Sequence, residues 1–275
     1  MSSKKNRPQI LLTNDDGIKS PGLWAAAQAL SKLGFVTIAA PREQSSATGR
    51  SLPITSDGTI IPTPLTVKGQ EWTVYAVGGT PAQSVQHAIL EIMTEKPDLV
   101  VSGINYGENL GTSIGISGTV GAAMEAAELS VPALAVSLEL LNKDYYGYST
   151  EVDFSTAAYF TQLFSKYLLS HPLPAGVDLL KLDVPEGASP QTPWRITRLG
   201  HHPYYVAYVD GERDWTKRFL IPTRIDVQPE QVQPDSDIHV LHFDRQVSVT
   251  PLTLDMTAQI RLTDYEEDLR SKLNS

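Results

Sequence analysis

Short apolar runs at residues 10–13, 35–40, 99–101, 133–138 and 179–184 alternate with stretches of helical spacing, and this alternation constrains the fold most. Each run is about the length of a buried strand and ends in turn residues. Between the first two lie Pro21 and Gly22, then Leu23, Ala26, Ala27, Leu30 and Leu33 at helical spacing, with Gly34 as the stop. A strand, a helix and a strand joined by short connections imply parallel pairing through a right-handed crossover. The chain is therefore expected to form an α/β, doubly wound, mostly parallel sheet.

Other elements fit this frame. Residues 54–77 alternate loosely around Asp57-Gly58 and Gly69, which predicts extra antiparallel strands at an edge. Thr80-Pro81-Ala82-Gln83 predicts a helix start, with Thr80 as N-cap and Gln83 closing a capping box. Val85, Ala88, Ile89 and Ile92 give that helix its apolar face. Helices are also expected at about 120–129 and at 153–169, the latter presenting Ala157, Phe160, Phe164, Tyr167 and Leu168. We place the core at 1–189 and a C-terminal extension of the same domain at 190–275. In the extension, 204–209 and 215–221 read as a β-hairpin, and the Pro- and Gln-rich 222–237 as a loop or arm. Residues 239–243 read as a strand, 247–254 as β-rich, and a last helix carries a capping box of Asp264 and Glu267.

Composition narrows the function classes. The net charge of −9 opposes a long polyanion such as duplex DNA while leaving a local nucleotide site open. With no cysteine, disulfides and thiolate-bound zinc are excluded. The first residues, MSSKKNRPQ, lack an apolar stretch, and no run approaches the roughly 18 residues of a membrane span, so a cytoplasmic protein is expected.

Three polar clusters follow strands and should converge at the carboxyl rim of the sheet, where open parallel sheets bind ligands. They are Asn14-Asp15-Asp16-Gly17, residues 42–49 (REQSSATG) and Ser102-Gly103-Ile104-Asn105. Adjacent carboxylates repel unless a cation or strong donors compensate, so Asp15-Asp16 is either a solvated turn or a cation site. Asp15, Asp16, Ser46 and Asn105 make an all-oxygen set suited to Mg²⁺ or Mn²⁺, with Ca²⁺ as a further option. The glycine-rich stretch 103–126 ends where Ser117, Gly118 and Thr119 open a helix, a place where N–H groups and hydroxyls can hold phosphate. Arg42 and Arg50 read either as surface residues or as groups that neutralise phosphate. Neither a P-loop nor G-x-G-x-x-G is present, and the six histidines show no metal or triad pattern.

With TNDDGIKSPG, AP-x₄-SATGRS, GGTPA, VSGIN-x-G-x-NLG and SGTVGAAMEA in this order, the chain resembles the survival protein SurE family. The resemblance is dense over 10–138. It implies a Rossmann-like core and a metal-dependent 5′/3′-nucleotidase acting on nucleoside monophosphates. It further implies homodimers or homotetramers built by exchange of the C-terminal arm. Its metal ligands fall on Asp15, Asp16, Ser46 and Asn105, and its other active-site positions on Asn14, Ser117, Gly118 and Thr119. Tyr106, Gln83-Ser84 and Ile116 stand where members often carry Arg, Asp-Cys and an aromatic or His. The rival readings are a polyphosphate hydrolase or broad phosphomonoesterase using the same site, and a metal-gated nucleotide-binding module. Phosphorus attack by water or by an Asp is equally open at this point.

Overall fold

The computed structural model describes residues 7–141 and 151–274. Six parallel strands form the centre of one sheet: β1 (Gln9–Thr13), β2 (Phe35–Pro41), β4 (Gln70–Val77), β5 (Leu99–Tyr106), β6 (Ala133–Leu138) and β7 (Leu179–Val184). β3 (Ile60–Val67) pairs antiparallel with β4 at one edge. The tight turn there places Lys68 and Gly69 at positive φ, as a two-residue hairpin turn demands. At the other edge β11 (Val247–Leu252) runs antiparallel to β7, and β8 (Trp194–Ile196) pairs parallel with β11. The spatial order is β3-β4-β2-β1-β5-β6-β7-β11-β8. The expected edge strands are present, although β4 itself joins β2 in parallel.

The chain winds outward from β1 through β2 to β4, then returns to start again at β5 beside β1. The reversal leaves a crevice between the ends of β1 and β5, the place where such sheets accept ligands. Helices cover both faces. α1 (Pro21–Leu30) and α4 (Ser155–Leu168) lie over one, burying Leu23, Leu30, Phe160 and Phe164 against Ile10, Leu12 and Val101. α2 (Pro81–His87) and α3 (Gly118–Glu128) lie over the other, where Val85, Val120 and Ala123 meet Leu11 and Val100. The Thr80–Gln83 capping box forms as expected. Tyr167 departs from the expected apolar face: it is exposed and stacks on His171.

The C-terminal region differs most from its sequence reading. The hairpin partner of β9 (Tyr205–Ala207) is β10 (Thr223–Ile225), not 215–221. Residues 222–237 do not hang free, because Val227 and Val232 bury with Leu110, Tyr204, Ile238 and Leu241 in a small third cluster. His239–Phe243 is a helical turn, not a strand. A short apolar run fits either state, and here the helical turn buries Val240 and Leu241 together. The terminal helix α5 (Leu262–Leu273) starts two residues before Asp264, so the expected capping box does not form; Asp264 pairs with Arg261 instead.

A buried ion triad ties these parts together. Lys181 on β7 contacts Asp183 and lies 3.1 Å from Asp237, all three excluded from solvent. The carboxylates also accept backbone N–H groups: Asp183 Oδ1 from Asn109 (2.8 Å), Asp237 Oδ1 from Gly200 (2.8 Å), and Asp237 Oδ2, shared with Lys181, from Gly111 (3.0 Å). The loop leaving β5 is thereby locked to β7 and to the C-terminal segment.

Candidate active site

β1 delivers Asn14, Asp15 and Asp16 to the crevice, and Gly17 turns the chain away with φ +91°, a region open to glycine. Asn14 holds this turn from inside: its Oδ1 accepts the Gly17 N–H (3.1 Å) and its Nδ2 donates to the Gly17 carbonyl (3.2 Å). Buried and doubly committed, Asn14 shapes the loop that carries the two acids. The Ser45 N–H donates to the Asp15 carbonyl (2.7 Å), laying the loop after β2 over the pair and bringing Ser46 to it. A register shift between Ser102 and Asn105 on β5 turns Asn105 to the rim.

These loops enclose a cavity of about 410 Å³ lined by Asp15, Asp16, Ser46, Asn105 and Ser117, together with Gln44, Glu108, Asn109, Tyr205 and Thr223. All four expected metal ligands are thus brought together. Asp15 and Asp16 are only 5% and 4% exposed, which rules out the solvated turn. Burial pushes the Asp16 carboxyl well above the usual carboxylate range, and the neighbouring Asp15 charge pushes the same way against one N–H from Tyr106 (3.3 Å). Burial raises Asp15 as well, opposed by the Thr119 hydroxyl at 2.5 Å and the Thr119 N–H.

No lysine, arginine or histidine lines the cavity among the described residues. Arg42 pairs with Asp57 (2.9 Å) and Arg50 with Glu125 (2.7 Å), so the reading of either as a phosphate neutraliser is not supported. The positive end of α3 abuts Asp15, but a helix end contributes about 0.3–2 kcal/mol, less than the several kcal/mol that dehydrating one carboxylate costs. The pair is undercompensated by the protein itself. Two carboxylates with an amide oxygen and a hydroxyl are the donors a hard divalent ion takes, so these residues fit such an ion. Asn105 presents its Oδ1 because its Nδ2 is spent on the Gly107 carbonyl (2.7 Å).

The α3 start behaves partly as expected. Ser117 caps the helix by accepting the Val120 N–H (3.1 Å), and its hydroxyl hydrogen is left to the cavity. Gly118 is needed for close approach: a Cβ there would sit 2.8 Å from the Asp15 Cβ and 3.0 Å from its Oδ2. Thr119 points its hydroxyl to Asp15 and orients that carboxylate, so it is not a free phosphate donor. Sequence reasoning missed Glu108, Asn109, Tyr205 and Thr223. The first two lie three and four residues past Asn105, whereas Tyr205 and Thr223 arrive on the β9–β10 ribbon, for which no local pattern gives a direction.

The survival protein SurE family model matches residues 10–205. A protein named 5′-nucleotidase SurE from Methanocella arvoryzae is 41% identical over 271 residues, spanning 95% of this chain and 98% of its own. Another of that name, from Thermococcus kodakarensis, is 38% identical over 276 residues with the same coverage of both chains. The solved structure of the SurE protein from Aquifex aeolicus superposes with a TM-score of 0.75 at 30% identity, covering 95% of this chain and all of its own. With the family model matched over 10–205 and relatives of that name 38–41% identical over nearly the whole length, the chain belongs to the survival protein SurE family.

Proposed function

We propose that the chain is a metal-dependent 5′/3′-nucleotidase that hydrolyses nucleoside monophosphates to nucleoside and phosphate. The observation that carries this reading is the buried Asp15–Asp16 pair beside the start of α3, in a cavity that no basic side chain among the described residues lines. Asp15, Asp16, Asn105 and Ser46 would hold one divalent ion, Mg²⁺ or Mn²⁺ with Ca²⁺ as a further option. When bound, such an ion supplies Lewis acidity at the phosphoryl oxygens and acidifies water. The Ser117 hydroxyl and the N–H of Gly118, which has no acceptor within the helix, stabilise charge developing on the phosphoryl group. The Thr119 hydroxyl favours the charged form of Asp15 against its burial and fixes the orientation of that carboxylate. Asn14 and Gly17 hold the turn, so the geometry is set before substrate arrives.

Three further proposals concern the whole protein. The domain runs as a core over 1–189 and an extension over 190–275. The extension builds a homodimer or homotetramer, supported by the exposed Leu262, Tyr265, Leu269 and Leu273 on one side of α5. The protein works in the cytoplasm on a small nucleotide; no helix among the described residues is long and apolar enough to cross a membrane. The direct test is phosphate release from nucleoside monophosphates with Mn²⁺ or Mg²⁺. Turnover that a chelator abolishes and added metal restores is the expected result; no release with either metal would overturn the reading.

A further inference from the structure

The far wall of the cavity contains a carboxylate that the phosphate chemistry does not use. Glu108 is 4% exposed and lines the same space as Asp15 and Asp16. Its Oε1 accepts the Tyr205 hydroxyl and its Oε2 the Leu140 N–H at 3.4 Å. Burial raises the Glu108 carboxyl, while these two donors favour its charged form and keep both oxygens in the role of acceptors. Two donors nearby are drawn away from the cavity. Asn109 Nδ2 donates to the Ser137 hydroxyl oxygen at 2.8 Å, and the Ser113 hydroxyl donates to the Leu110 carbonyl. What remains from Glu108 and Ser113 is oxygen with lone pairs, beside one further N–H of Asn109. Such a wall accepts hydrogen bonds and offers few, and no basic side chain among the described residues relieves its charge.

Resting on the nucleotidase reading above, we infer that Glu108, held in place by Tyr205, is a specificity-determining residue that accepts hydrogen bonds from the sugar hydroxyls of the leaving group and turns away a second phosphate. Ribose hydroxyls bring the donors this wall lacks. A further phosphate, as in a nucleoside diphosphate or an inorganic polyphosphate chain, brings only acceptors and negative charge, and sites that bind such groups supply Lys or Arg. The same carboxylate therefore attracts one substrate class and repels another, as specific sites commonly do. A site built to bond a hydroxyl loses heavily on an analogue lacking it, because its buried polar group is left unpaired.

The test compares kcat/KM for a nucleoside 5′-monophosphate, its 2′,3′-dideoxy analogue and the matching 5′-diphosphate, each with saturating Mn²⁺. Wild type is expected to favour the ribonucleotide over the dideoxy analogue by about tenfold or more. Glu108→Gln should shrink that ratio below about threefold and raise the rate on the diphosphate relative to the monophosphate. Tyr205→Phe, which frees Glu108 from its positioning donor but keeps the carboxylate, should shrink the ribonucleotide-to-dideoxy ratio and leave the diphosphate disfavoured, and the first of these decides the matter if Glu108→Gln fails to fold. Equal rates of wild type on both monophosphates, or a ribonucleotide-to-dideoxy ratio unchanged in the folded variants, would overturn the assignment. Failure of wild type to release phosphate from any of the three would instead overturn the nucleotidase reading.

Discussion

At the scale of single residues, the site depends on how Asp15 and Asp16 respond to charge. In metal-free protein both carboxyls hold their protons to higher pH than in the unfolded chain. The folded state then binds more protons than the unfolded state, so their contribution to stability falls as pH rises through the raised values. Asp16→Asn removes the charge and should therefore gain on wild type as pH goes from about 5 to about 8 in chelator; a gain of about 1 kcal/mol would lift the melting midpoint by about 2–4 °C. Thermal melts of the two proteins at matched pH check this. Divalent metal reverses the sign, because binding expels those protons, so its stabilising effect should grow with pH and vanish on acidification. Two neighbours tune Asp15. Thr119→Val removes the hydroxyl that fixes it and should weaken Mn²⁺ affinity by about 10–100-fold, the usual penalty for losing the partner of a ligand, with Thr119→Ser restoring most of it. Asp15→Asn itself should cut kcat by about 10²–10³-fold or more while leaving a cooperative melt.

At the scale of elements, the buried Lys181–Asp183–Asp237 triad decides whether the loop after β5 stays in place. Lys181→Met would leave two carboxylates in the interior without their cation, and urea denaturation should show a loss of about 3–5 kcal/mol. The strands and helices of the core were readable because each carries its own signal: apolar runs for β1, β5 and β6, the Thr80–Gln83 box for α2, and the glycine stop after α1. Asp15, Asp16, Ser46 and Asn105 were readable for a related reason, since all lie at strand ends that the topology must gather at one rim. The C-terminal region offered no such local signal. Residues 239–243 can bury their apolar side chains as strand or helical turn, and only the third cluster around Leu110 and Tyr204 selects the turn. Likewise the strand register that sets Tyr205 opposite Ile225 depends on pairing across a gap of some twenty residues, not on either segment alone. Glu108 was passed over because a carboxylate in a polar loop looks solvated until its burial is known.

At the scale of the whole molecule, strand order and electrostatics serve one place. The sheet reverses direction between β1 and β5, both core clusters support that crevice from opposite faces, and the ribbon of β9 and β10 closes it from the C-terminal side. The chain leaves α5 without a buried residue, and its exposed apolar side supports assembly with further copies. Light scattering should therefore give a multiple of the chain mass, and removal of residues 255–275 should lower it. Two of the acids behind the net charge of −9 lie side by side in this buried cleft, where a doubly charged cation makes the arrangement stable and reactive. Titration calorimetry of Mn²⁺ into chelator-treated wild type and Asp16→Asn tests that claim most directly. Wild type is expected to take up one ion per chain with proton release, and the variant to show no comparable uptake. Absence of binding to wild type, or equal binding to both, would contradict it.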